Sequence, residues 1–101
     1  MYKINFNFTL KNLDGSDITE NEKGSIVPAN AGKKLAGVLF QSAEGDALKF
    51  KSWAFKLYNG ETLELDASDF STLKDFISKP NQIINFLKAP LLEVMTSAKD
   101  E

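Results

Sequence analysis

The chain has 101 residues, 43% of them hydrophobic and 26% charged, with no cysteine, no histidine and a net charge of −2. This composition excludes disulfides and thiolate chemistry, removes the commonest general base and metal ligand, and fits one globular domain over residues 1–101. All 12 basic residues are lysines, so the arginine and basic excess typical of nucleic-acid readers are missing, as is the dense acidic surface of a DNA mimic.

From Tyr2 to Lys11, apolar and polar residues alternate without a break, which predicts a strand with one buried and one wet face. The opening residues contain no signal-peptide apolar block, and no apolar run approaches the roughly 18 residues of a membrane span, so a soluble, cytoplasmic protein is expected. Asn12-Leu13-Asp14-Gly15 supplies turn chemistry, and Ser16 to Thr19 can return antiparallel as the short arm of a hairpin. Glu20 to Ser25 reads as a polar loop and Ile26-Val27-Pro28 as a connector.

Asn30 is the expected N-cap of a helix from Ala31 to about Ser42, with Leu35, Val38, Leu39 and Ser42 on one face and Gly45 as the C-cap. Gly32 and Gly37 each cost about 1 kcal/mol of helix propensity, which close approach of a neighbouring backbone would offset. Asp46 caps the central helix, which Asn59-Gly60 ends. At roughly 100° per residue, Phe50, Trp53, Ala54, Leu57 and Tyr58 share one stripe of it. Leu48 and Phe55 lie on a second flank interrupted only by Lys51, an apolar arc wider than a surface helix needs.

Glu61 to Leu65 alternates again and is expected to pair with the N-terminal strand. Asp66 and Asp69 mark the start of a helix from Ala67 to about Ser78 that buries Phe70, Leu73, Phe76 and Ile77. Pro80 interrupts the pattern. Asn81 to about Met95 resumes it, with Pro90 either kinking the last helix or dividing it, and residues 96–101 are expected to fray.

Catalytic and ligand motifs fail on their own spacing. A phosphate loop ending at Gly32-Lys33 would need glycine at Val27 and a hydroxyl at Lys34. Asp14-Gly15-Ser16-Asp17 lacks the remaining ligands of a calcium loop, so these carboxylates are read as stabilising a turn. Glu61, Glu64, Asp66, Asp69 and Asp75 lack the buried, oppositely perturbed pair that acid-base chemistry requires. No cofactor or metal is implied, and an enzyme is not expected. The aromatics are assigned to the core at about 1.5–3 kcal/mol each. The one flank left without an intrachain partner is Leu48, Lys51 and Phe55, the candidate protein-contact surface.

The strand closed by Leu13-Asp14-Gly15, the Leu48 to Tyr58 helix, the Glu61 to Leu65 strand, the Asp66 to Asp69 helix start and the closing apolar helix together resemble small uncharacterised proteins carried by tailed bacteriophages and prophages. The resemblance is one of pattern over most of the chain. It designates no functional residue and implies a phage accessory role.

The expected fold is α+β: an N-terminal hairpin completed into a small three-stranded antiparallel sheet and packed on three to four helices. The expected function is a non-enzymatic protein-binding accessory factor that occupies a surface on a host or phage protein, for example an inhibitor of a host defence system. One alternative is a virion-assembly or self-associating protein whose partner is a second copy. The other is a single-stranded nucleic-acid binder, against which the charge counts.

Overall fold

A computed structural model describes residues 1–42, 45–79 and 85–99. In chain order the elements are β1 (Tyr2–Ile4), β2 (Thr19–Glu22), β3 (Ser25–Pro28), α1 (Ala31–Gln41), α2 (Ala47–Tyr58), β4 (Leu63–Leu65), α3 (Ala67–Ser78) and α4 (Asn85–Ser97). The class is α+β, with an N-terminal hairpin and four helices among the described residues. No helix among them is long and apolar enough to cross a membrane.

The sheet is not three-stranded. β1 pairs antiparallel with β4, Tyr2 opposite Leu65 and Ile4 opposite Leu63, as the alternation of both segments predicts. β2 and β3 form a separate two-stranded ribbon over the stretch expected to be a loop and connector. Lys23 and Gly24 turn this ribbon with φ of 51° and 83°, the positive values that a tight two-residue hairpin requires and that suit glycine.

The N-terminal alternation survives as burial but not as a ladder. Ile4, Phe6 and Leu10 are buried, with Tyr2 and Phe8 half-buried. Strand pairing nevertheless stops at Ile4. Beyond it the Asn7 N–H donates to the Asn5 side chain at 2.7 Å, and the Phe8 N–H to the Phe6 carbonyl at 2.9 Å. These local bonds compete with the ladder. Leu10 and Ile18 then resume pairing, and Asn12 to Ser16 closes the expected turn.

Each fully described helix start is set by its first side chain. Asn30 accepts from the Lys33 N–H at 3.0 Å, Asp46 from the Leu48 and Lys49 N–H groups at 3.1 Å each, and Asp66 from the Asp69 N–H at 2.7 Å. α1 ends at Gln41 with Ser42, not Gly45, as its C-cap. α4 runs without division through Pro90 and includes Thr96 and Ser97, where fraying is expected from the sequence. The part of its predicted span over residues 81–84 lies outside the described residues, as do residues 100 and 101.

α1 and α2 form an antiparallel pair against which the two-stranded β1–β4 unit, α3 and α4 complete the core. Phe50 of α2 stacks on Trp53 at a ring-centroid distance of 5.4 Å and meets the edge of Phe76 of α3 at 5.3 Å. Leu35 and Leu39 of α1, Leu63 and Leu65 of β4, and Leu91 and Met95 of α4 are buried in the same cluster. Tyr2 stacks on Phe70 at 4.0 Å and closes the open end of the β1–β4 pair over α3.

The two α1 glycines differ. A Cβ on Gly32 would lie 3.1 Å from the Leu57 carbonyl oxygen and 3.2 Å from that of Phe6, whereas one on Gly37 would meet nothing within 4 Å. Close backbone approach therefore explains Gly32 and not Gly37. Gly37→Ala is expected to raise unfolding free energy by about 0.5–1 kcal/mol through helix propensity. Gly32→Ala should lower it by about 1 kcal/mol, because two backbone oxygens must yield. Urea denaturation of both variants checks this, and equal effects would refute the assigned contact.

Candidate functional site

The three residues singled out on the central helix all lie on the surface. Leu48 is 81% exposed and Phe55 58% exposed, and Lys51 is exposed beside them. Phe50, Trp53, Ala54 and Leu57 are buried as expected, but Tyr58, assigned to the same stripe, is 57% exposed. It lies one helical step beyond Leu57, which turns its ring out of the core. Phe40 of α1 adds a further exposed aromatic at 66%.

These rings converge on a groove of about 350 Å³ between α1 and α2. α1 contributes Lys33, Ala36, Gly37 and Phe40, and α2 contributes Lys51, Ala54, Phe55 and Tyr58. Both sets follow the spacing i, i+3, i+4, i+7, which places each on one helical face. Small residues form the floor and aromatics the walls. Because the helices run antiparallel, each end of the groove receives a lysine from one helix and an aromatic from the other. At one end Lys33 Nζ sits 5.3 Å from the centroid of the Tyr58 ring. At the other, Phe40 and Lys51 together line a continuation of about 270 Å³, with Lys51 Nζ 5.7 Å from the Phe55 ring. Lys51 and Phe55 are thus brought together in the groove. Leu48 is on the same side of α2 but lines neither cavity.

Within their own spans the two helices carry charge of one sign. α1 and α2 carry Lys33, Lys34, Lys49, Lys51 and Lys56 and no acidic residue within either helix. Lys34 pairs with Glu20 of the ribbon. Lys49 donates to Asp69 of α3 at 2.6 Å, and that bond and the aspartate's charge hold its pKa above the ordinary lysine value. Lys33 and Lys51, the two that line the groove, have no ion-pair partner among the described residues.

Other places the sequence invited are occupied by structural bonds. The N–H groups at the start of α1 are taken, Ala31 by Phe8, Gly32 by Phe6 and Lys33 by Asn30, so none is left to cradle a phosphate. Asp14 accepts from the Ser16 N–H at 3.0 Å and its hydroxyl at 2.6 Å, and these bonds lower its pKa. Asp66 caps α3 and Asp69 holds Lys49. Among the described residues no three carboxylates gather as a metal site. A larger cleft of about 630 Å³ lies between the Lys11 to Leu13 turn and Pro90 of α4, but Leu13 is the only large exposed apolar side chain in its lining.

Of the groove residues, Phe40 carries no assignment from the sequence, Tyr58 is assigned there to the buried stripe, and Gly37 is read only for its cost to the helix. The available signal was the recurrence of lysine, alanine and a final aromatic at one spacing in two successive helices.

If the groove aromatics serve recognition and not folding, Phe40→Ser and Phe55→Ser should each change stability by no more than about 0.5 kcal/mol. Trp53→Ala should cost about 3–5 kcal/mol. Thermal and urea unfolding compare them, and a core-sized loss from either serine variant would show that the ring holds the fold.

No protein-family model matches the chain, and neither a curated protein nor a solved structure shows a match to it.

Proposed function

We propose that the protein is a non-enzymatic binding factor that acts by occupying a surface on another protein through the α1–α2 groove. The observation that supports it is the exposure of Phe40, Phe55 and Tyr58 around one apolar groove, with Leu48 on the adjoining turn. Clustered exposed aromatics over small residues are typical of the centre of an interface, where anchors enter a desolvated recess. In the setting that the phage resemblance implies, the protein is an accessory factor in the cytoplasm of a bacterial host, and the occupied surface belongs to a host or phage protein.

A second reading, single-stranded nucleic-acid binding, draws on the same rings, since aromatics flanked by lysines can stack bases. It predicts retention of an oligonucleotide that weakens as salt is raised. The absence of arginine and the net charge of −2 favour the protein partner.

The test is affinity capture from the host with wild-type protein, Phe55→Asp and the control Asp75→Asn on the exposed side of α3. A partner identified by mass spectrometry should be retained by wild type and control and lost with Phe55→Asp. Retention by all three would place the contact elsewhere and sink the groove as the binding surface.

A further inference from the structure

We infer that the occupant of the groove is an amphipathic helix of another protein, with an apolar stripe flanked by carboxylates. The inference rests on the binding reading above and names the chemistry of its partner. The groove is bounded along its length by two antiparallel helices, and from Lys33 to Phe40 it extends over about two helical turns, roughly 10 Å. A third helix laid along it would bring residues at i, i+3, i+4 and i+7 onto the floor. That floor is made of Ala36, Gly37 and Ala54, small enough for a helix to approach closely. The position of a Cβ on Gly37 has no atom within 4 Å, so the floor is open at that point to an incoming side chain.

Charge decides among occupants. Lys33 and Lys51 stand at opposite ends of the groove with no ion-pair partner among the described residues, and no carboxylate lies within α1 or α2 to neutralise them. A second copy docked face to face through the same groove would bring both lysines of each copy into one interface, like charge against like, with no acid on either helix. A basic helix meets the same penalty. An acidic-flanked helix places carboxylates at both ends while its apolar stripe covers Phe40 and Phe55.

The probe is a fluorescein-labelled peptide of about 16 residues, long enough to be helical once held in the groove, with leucine at i, i+3, i+4 and i+7 and glutamate on both flanks. Its counterpart carries lysine in place of every glutamate. Fluorescence anisotropy should show binding of the glutamate peptide that weakens with salt, and little binding of the lysine peptide. Phe55→Ala should weaken binding about 30-fold or more. Lys33→Glu combined with Lys51→Glu, both at exposed positions and checked for fold by circular dichroism, should reverse the preference toward the lysine peptide.

Equal binding of both peptides would overturn the inference and leave the protein-binding reading standing. So would failure of both while a captured partner still depends on Phe55. Failure of both together with a capture that ignores Phe55 would remove the inference and the reading beneath it. Two further results overturn it in favour of a named rival. One is a thymidine oligonucleotide that is retained by wild type and lost in the double lysine variant. The other is a dimer by sedimentation that Phe55→Asp converts to monomer.

Discussion

Gly32 lies where three stretches of backbone meet, donating its N–H to the Phe6 carbonyl at 2.9 Å and lying against the carbonyl of Leu57. That junction fixes the start of α1 against both the N-terminal segment and the end of α2. Once it is set, the register of the two helices follows. Lys33 must stand beside Tyr58, and an antiparallel partner brings Phe40 level with Lys51. The groove is therefore a by-product of a packing contact on the adjoining face of the same helices, about a quarter turn away. Its lining adds little to the core, since the rings that wall it are more than half exposed.

The same helices divide their lysines between two tasks. Lys34 and Lys49 reach backward, to Glu20 on the β2–β3 ribbon and Asp69 on α3, and tie the helical pair to its neighbours. Exposed pairs of this kind are worth little in stability, so their greater effect is local, in satisfying acids that would otherwise offset the positive face. Lys33 and Lys51 are left over the aromatic rings. In a chain of slightly negative net charge, the charged residues that line the groove are thus both lysines, which bulk charge does not disclose.

What could be read from the residues was whatever is decided within a few positions. The caps Asn30, Asp46 and Asp66 are local bonds, so three helix starts were legible. The pairing of β1 with β4 followed from alternation in two apolar segments. The β2–β3 ribbon was not legible, because Thr19 to Glu22 is polar throughout and owes its strand to the turn at Lys23-Gly24. Period-two patterning reports which side chains are buried, not which backbone groups pair, so the N-terminal strand it predicts outruns the ladder that ends at Ile4. For the site, the exposed flank of α2 was visible as an arc too wide for one core. Its α1 half was not, because Leu35 and Leu39 define a credible buried face by themselves, and which residues then flank α2 is a tertiary fact. Tyr58 shows the limit of the wheel: adjacency to a buried stripe does not bury a residue at its edge.

The two sheets have a consequence for how the protein behaves among copies of itself. With two strands in each, every strand among the described residues is an edge strand, and none is shielded by neighbours on both sides. Unpaired strand edges are templates for runaway chain-to-chain addition. The strands here are only three or four residues long, Lys3 stands opposite Glu64 in one ladder, and Pro28 removes a donor at the end of the other. Short length, charge and proline are the means by which exposed edges are kept from polymerising. The most exposed aromatic rings among the described residues, Phe40, Phe55 and Tyr58, thus stand on the helical layer and not on the strand edges.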